Sequence, residues 1–359
     1  DDPLLRGTTG VFNAVFGAQA FSQLNNEANA FALLPKLPWA KSGWRVITTE
    51  AGQAADGAVN ENGTLPDAIK PDFQEVTAIP RQAAHRFTVA YIQEGLVQKG
   101  DDALGDMEFL RGYFAVKHAK AINEQLLTDG DILPEDVDGA TGTAFESIDR
   151  VTASTAYSVA VGWTAGDEDI YDIDRSANSW SDAQVNHNSG VDRTLTDRLI
   201  RDLLSTIENA GGRTNIMLTG NDTKWRIIGL YENQIRYPGV LQKNELVQIG
   251  INGVNTAEGL AAGVKVAMVY GIPLFSSQNV VQDTISRVYM LDTTTNDETG
   301  IPRLFFSLLY PTLFFQSGMS APNPDPFPIN RFATDGVYYT SGELICTFFA
   351  AQGSLRDLS

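Results

Sequence analysis

The stretch from Ala51 to Pro71 is dominated by Gly, Ala, Asn and Asp and lies between two segments with the composition of β-strands. Trp44 to Glu50 precedes it. Phe73 to Glu94, rich in Val, Thr, Phe, Tyr and Ile, follows it, and Asn62-Gly63 supplies a turn signal between them. This order predicts a long two-stranded flap. So few apolar side chains cannot close a core of their own, so the flap is expected to lie on another surface. A chain built this way needs a partner.

The rest of the chain reads as a mixture of helices and strands. Residues 1 to 40 carry Gly7, Gly10, Gly17, Pro35 and Pro38 with no sustained period, which predicts an extended arm with a short helix near Ala18 to Leu33. From Asp106 to Thr128, Met107, Leu110, Phe114, Ala121, Ile122 and Leu126 recur at three- and four-residue steps, the mark of a long helix, with Gly130 just past its end. Gly112 inside it implies either close packing or simple tolerance. Leu195, Leu199, Leu203 and Ile207 define a second helix, with Thr194 and Asp197 as a capping pair, Asp197 and Arg201 as an i,i+4 ion pair, and Gly211-Gly212 as the stop. Strands are expected at Thr214–Thr219, Val264–Tyr270, Ile272–Ser276 and Arg287–Asp292, with a helix over Asp222–Glu232. The tail from Arg303 to Ala351 is strand-rich and aromatic, interrupted by a Pro-rich loop from Pro322 to Pro328.

Charge narrows the functions open to this chain. Its 359 residues hold 44 acidic and 26 basic side chains, a net charge of −18, which argues against sequence-independent binding to duplex DNA. Asp exceeds Glu by 28 to 16 and Arg exceeds Lys by 17 to 9, a skew that suits a surface kept hydrated at high salt, where the Debye length is about 3 Å. A halophilic source is favoured over an ordinary acidic protein. The longest nearly uncharged apolar stretch, Leu304 to Phe315, is broken by Pro311 and far short of the roughly 20 residues that span a bilayer, so no membrane partner is expected. Cys346 is the single cysteine, which excludes an internal disulfide, and its apolar neighbours predict a buried small hydrophobe. The start at Asp1 is not an intact signal peptide and is consistent with processing upstream.

Motifs for chemistry are scarce. His85, His118 and His187 pair by spacing with no other ligand or nucleophile, and the nucleophile-elbow, zinc-protease and phosphate-loop patterns are missing. No enzyme is expected, and no cofactor. Asp167, Asp169, Asp172 and Asp174 form a dense set of oxygen ligands that could suit Ca²⁺ or Mg²⁺, but a solvated acidic loop is the plainer reading. The same carboxylates, with Trp163, Tyr171 and Trp180 nearby, leave a halophilic secreted hydrolase open as a minor alternative. Asn62–Thr64 and Asn221–Thr223 match the N-glycosylation pattern, the second being equally explained by helix capping.

The order of parts, and several stretches within it, resembles the major capsid proteins of tailed phages and archaeal viruses. Asn62-Gly63 through Pro66, then Phe73 to Pro80 and His85 to Gln93, is similar to that family's E-loop and its returning strand. Asp106 to Thr128 is similar to the spine helix, and Asp174-Arg175-Ser176 with Trp180 to a segment of the A-domain. The helix 195–209, the strand 214–219, Gly271-Ile272-Pro273 and Leu291-Asp292-Thr293 are similar to its central sheet.

The resemblance implies an α+β chain of the Hong Kong ninety-seven type. Its parts are an N-terminal arm (1–43), an E-loop with flanking strands (44–94), a P-domain with the spine helix (95–155), an A-domain (156–284) and a strand-rich return (285–359). It also implies self-assembly as hexamers and pentamers into an icosahedral virion shell enclosing double-stranded DNA. A portal and decoration or turret proteins are the expected partners, and assembly is expected in the host cytoplasm. Some relatives cross-link an E-loop lysine to a neighbour. Here no lysine lies from Ala51 to Pro66, and Lys70 lies only near the base, so non-covalent assembly is expected. Candidate contacts between subunits are Asn62, Leu65, Pro66, Lys70, Arg81 and Arg86, the two arginines pairing with acidic groups of a neighbour. An encapsulin-like compartment loading an enzyme is the alternative of the same fold.

Overall fold

A computed structural model of the chain describes residues 29–49, 61–63, 71–92, 107–136, 143–232, 267–296, 299–318 and 333–359. In chain order the elements begin with α1 (Asn29–Leu33), β1 (Lys36–Pro38), β2 (Gly43–Thr49), β3 (Asp72–Thr77), β4 (Arg81–Ala90) and α2 (Met107–Leu126). Then come α3 (Ile148–Val151), α4 (Thr155–Val161), β5 (Gln184–Asn186), α5 (Asp197–Asn209), β6 (Ile216–Thr219) and α6 (Asn221–Glu232). The last six are β7 (Ala267–Val269), β8 (Ile272–Ser276), β9 (Val288–Leu291), β10 (Leu304–Gly318), β11 (Ala333–Cys346) and β12 (Gly353–Leu355).

The flap's strands pair as expected: β2 and β3 form an antiparallel ribbon with Trp44 opposite Val76 and Ile47 opposite Phe73. The long strand expected over 73–94 is two strands instead. Pro80 has no N–H to give a ladder, and at that point the chain leaves the ribbon and enters a different sheet. That sheet has the order β1-β10-β11-β4, with β10, β11 and β4 antiparallel and β1 parallel to β10. Pro311 sits in β10 where the register slips, between Tyr310 opposite Ser341 and Leu313 opposite Tyr339, so the missing donor falls in a bulge.

The helix α2 packs against this sheet through Met107, Leu110, Phe114, His118, Ile122 and Leu126, a stripe stepping by three and four residues. A Cβ on Gly112 would meet nothing within 4 Å, so that glycine is tolerated and not required. Asn123, on the edge of the stripe, accepts a hydrogen bond from the Ala30 N–H at 2.9 Å and ties α1 to the long helix. The helix expected from Ala18 thus has its described part at Asn29–Leu33, and residues 18–28 lie outside the described residues.

The second sheet has six strands in the order β5-β12-β9-β6-β8-β7. On one face α5 lays Ile200, Leu203, Leu204 and Ile207 against Met217, Met290 and Leu355. The Asp197–Arg201 pair forms at 3.0 Å, but the helix begins one residue later than a Thr194 cap requires, with Thr196 at the N-cap. The largest core lies between the two sheets. It joins Val76 and Ala78 from the flap base, Ile122 and Leu126 from α2, Phe306 and Leu344 from the first sheet, and Ile216, Leu218, Tyr289 and Leu291 from the second. Cys346 lies in this core, fully buried as expected, and burial pushes its thiol up to about 12.

The crossing of β11 over β10 leaves no room for a side chain at Gly342. A Cβ there would collide with the Ser307 carbonyl oxygen and stand 2.7 Å from Phe306 Cε1. Backbone cannot move aside as a flexible side chain can, so Gly342→Ala is expected to cost about 1–3 kcal/mol of stability, read as a lower urea midpoint. An unchanged midpoint would mean that the strands are not this close.

Candidate functional site

The flap is anchored at its base and open further out. Val76 is buried, Trp44 packs edge-on to Tyr171 with ring centroids 5.5 Å apart, and the Ala78 N–H donates to the Ser42 carbonyl at 2.8 Å. Further along the ribbon, the cross-strand pair Ile47 and Phe73 is 59% and 58% exposed, and Ile79 at the hinge is 66% exposed. Three large apolar side chains in water on one projecting element are the signature of a docking surface, not of a scattered surface residue. Asn62 lies in an exposed turn at 61–63; Leu65, Pro66 and Lys70 fall outside the described residues.

Arg81 and Arg86 find their acidic partners within their own chain, which corrects the expectation that those partners lie on a neighbour. Arg81 bridges Glu146 at 3.1 Å and Glu343 at 3.2 Å and donates to the Ala144 carbonyl at 2.9 Å. Arg86 pairs with Asp335 at 2.7 Å across the β4–β11 ladder. Burial, only partly offset by Arg81 and reinforced by Glu146, pushes the Glu343 carboxyl up to about 8.

The acidic loop does not close around an ion. Asp174 accepts hydrogen bonds from Ser176 Oγ at 2.7 Å and the Ala177 N–H at 3.2 Å, and Asp169 accepts from the Arg175 N–H at 3.1 Å. These carboxylates organise their own turns. Among the described residues no three His, Cys, Asp or Glu side chains converge as a metal-holding group, Asp167 and Asp172 included.

Two arrangements of titratable groups are invisible to sequence spacing. The first is an ionic centre on Asp149, a fully buried residue of α3. One carboxylate oxygen accepts from Arg287 at 2.9 Å, Arg356 at 3.1 Å and the Gly130 N–H at 2.9 Å, and the other accepts from Tyr289 Oη at 2.8 Å. Burial alone would push this carboxyl up, but Arg356 and Arg287 outweigh it and hold it far below the usual range. Gly130 is required for this reason as well as for ending a helix: a Cβ there would stand 2.8 Å from Asp149 Oδ2 and 2.9 Å from Trp163.

Arg150, Arg175 and Arg356 are the three largest fully buried side chains of the described residues. Part of the excess of Arg over Lys is therefore internal architecture, where a planar guanidinium can satisfy several carbonyls at once. Arg175, for example, donates to the carbonyls of Arg150 and Val151.

The second arrangement joins two of the histidines. His85 Nδ1 and His118 Nδ1 are 2.8 Å apart, His118 Nε2 is 2.7 Å from Thr340 Oγ1, and that hydroxyl is 2.9 Å from Thr312 Oγ1. The relay links α2 to β4, β11 and β10. Burial, then the neighbouring His85, lowers His118 to about 4; burial, then Lys117, lowers His85. The sequence does carry a signal for it. His118 stands four residues from both Phe114 and Ile122 on the buried stripe, and His85 alternates with Ala83 and Phe87 on the inward face of β4.

Nothing in these two centres is open to a substrate, and the exposed features all belong to the flap and its hinge. Along nearly its whole length the chain superposes on shell subunits. It is similar to the subunit of the cyanophage A-1(L) capsid asymmetric unit, with TM-score 0.64 and 13% identity over 95% of each chain. The fold is of the Hong Kong ninety-seven capsid type. The capsid of a native GTA particle is similar with TM-score 0.56 and 12% identity, over 100% of this chain and 96% of that one. The SrpI encapsulin of Synechococcus elongatus PCC 7942 is similar with TM-score 0.52 and 9% identity, over 95% and 93%. No protein-family model matches the sequence, and no curated protein matches it.

Proposed function

We propose that this chain is the major capsid protein of a tailed double-stranded DNA virus, assembling with itself as hexamers and pentamers into an icosahedral head. The observation that carries this reading is the projecting ribbon with Ile47 and Phe73 in water, on a fold shared end to end with a phage shell subunit. Burying such side chains on a neighbour is worth about 1.5–3 kcal/mol each, and a closed shell repeats the contact in every copy. The role is structural and not catalytic. The shell holds DNA behind an acidic wall, without sequence-specific contacts, and is non-covalent, since the flap from Ala51 to Pro66 has no lysine. A portal and decoration or turret proteins complete the particle, which is built in the host cytoplasm.

The excess of 44 acidic over 26 basic residues supports a virus of a halophilic archaeon, with shells that persist in molar salt. An encapsulin-like compartment is the second reading, favoured by the likeness to the SrpI subunit. DNA and neighbouring portal and terminase genes argue for the virus; a protein cargo argues for the compartment. The hydrolase reading has lost its catalytic loop to turn hydrogen bonds, and Asp169→Asn is expected to abolish no turnover.

Electron microscopy of the purified full chain tests the proposal, with closed shells as the expected result. The double variant Ile47→Ser, Phe73→Ser should fold within about 0.5 kcal/mol of the parent, because both side chains are already in water. Its critical concentration for assembly should rise about tenfold or more. A parent that stays monomeric at high concentration, or a variant that assembles as the parent does, sinks the reading.

A further inference from the structure

A cleft of 510 Å³ opens at the flap's hinge, walled by Thr77, Ala78 and Ile79 on one side and by the acidic loop on the other. Glu135, Glu146, Asp169, Asp172, Asp174 and Glu343 line it against only Arg81 and Arg150, six carboxylates to two guanidinium groups. An acidic lining by itself is common in a chain of this charge. What distinguishes this one is Glu146, whose side chain is 5% exposed and whose Oε2 has no hydrogen-bond partner. Its nearest cation on that side, Arg150 Nε, stands 3.8 Å away, too far to donate. A buried carboxylate oxygen facing a cleft without a donor is costly and calls for a cation to complete it.

The carboxylates are spread around the cleft and do not converge on a point, which suits an extended guanidinium or ammonium group better than a metal ion. The rim supplies the source. Ile79 and the ribbon carrying Ile47 and Phe73 are the surfaces that a second copy covers in the assembly proposed above, so the same copy is brought over the mouth of the cleft. We infer that the cleft is a receptor for a basic side chain of a second copy of this chain, which locks the angle of the flap to the body once the copies meet. This rests on the shell reading.

Carboxyl labelling with carbodiimide and glycine ethyl ester tests it, on the full chain dispersed and in shells. Asp172 and Asp174 are exposed and should label readily in the dispersed chain, then about tenfold more slowly in shells. Glu146→Gln removes the charge and keeps the shape. It should raise the critical concentration about tenfold near 0.1 M salt and leave it nearly unchanged near 1 M, where screening already weakens the contact. Asp172→Asn, a residue type tolerated at the left-handed backbone there (φ 60°), should act in the same direction and guards against a misfolded Glu146 variant.

Absence of shells overturns both this inference and the shell reading. Shells with undiminished labelling, or a penalty equal at both salt concentrations, overturn the receptor alone. If magnesium or spermidine fully protects the dispersed chain and assembly adds nothing, the occupant is a free cation and the inference fails.

Discussion

Asp149→Asn is expected to lower the unfolding free energy by about 3–5 kcal/mol, the largest loss from any single conservative change in this chain. The variant leaves Arg287 and Arg356, 7% and 0% exposed, without the carboxylate that compensates both. Two buried guanidinium groups then face each other's field in a low dielectric. Chain length or distance does not decide this. Arg45 and Glu75 are as close, at 2.8 Å, but are 72% and 73% exposed, and Arg45→Gln is expected to cost less than about 0.5 kcal/mol because water screens that pair. Urea denaturation of the dispersed chains measures both. A loss below about 1 kcal/mol for Asp149→Asn would show that the centre is held by packing and not by charge.

Acid should loosen the long helix from its sheet in a separate and higher window. His118 is lowered to about 4 in the folded chain, against about 6.5 when unfolded, so from pH 6.5 down to 4 the unfolded chain takes up a proton that the folded one refuses. Stability therefore falls as pH falls, by about 1.4 kcal/mol per pH unit at most and of order 3 kcal/mol across the window. The second proton is refused because His85 and His118 share one between nitrogens 2.8 Å apart; with both charged, the pair repels at contact, and Lys117 beside it adds a third positive charge.

Asp149 behaves in the opposite sense and lower. Its folded-state value is depressed, so its contribution is intact above the unfolded value near 4 and is lost only as pH falls below that. Unfolding curves at pH 7, 6, 5 and 4 for the parent and for His118→Gln separate the two, the variant having the flatter slope. Parallel slopes would show that the histidine pair does not govern this range.

Much of the architecture was legible because it is local. The helix over 107–126 follows from a stripe of apolar residues three and four apart, and the helix over 197–209 from the same rule, with its Asp197–Arg201 pair formed. The ribbon was legible from two strand-like segments around a stretch too polar to fold on itself, and Cys346 from its apolar run. These are decided by a residue's neighbours within a few positions, so periodicity reports them.

What the tertiary structure alone decided are encounters between distant positions. Arg287 and Arg356 reach Asp149 from 138 and 207 residues away, and Glu343 reaches Arg81 and Glu146 from the far end of the chain. Sequence spacing has no term for such a meeting: a charged residue in a short, aperiodic helix looks like any surface residue until burial removes its water. The same holds for Arg81, whose partners proved to be its own, and for Pro80, which marks where one expected strand divides between two sheets. Local pattern determined which elements form; only folding determined which charges they enclose, because desolvation acts on residues brought together in space and not on residues adjacent in the chain.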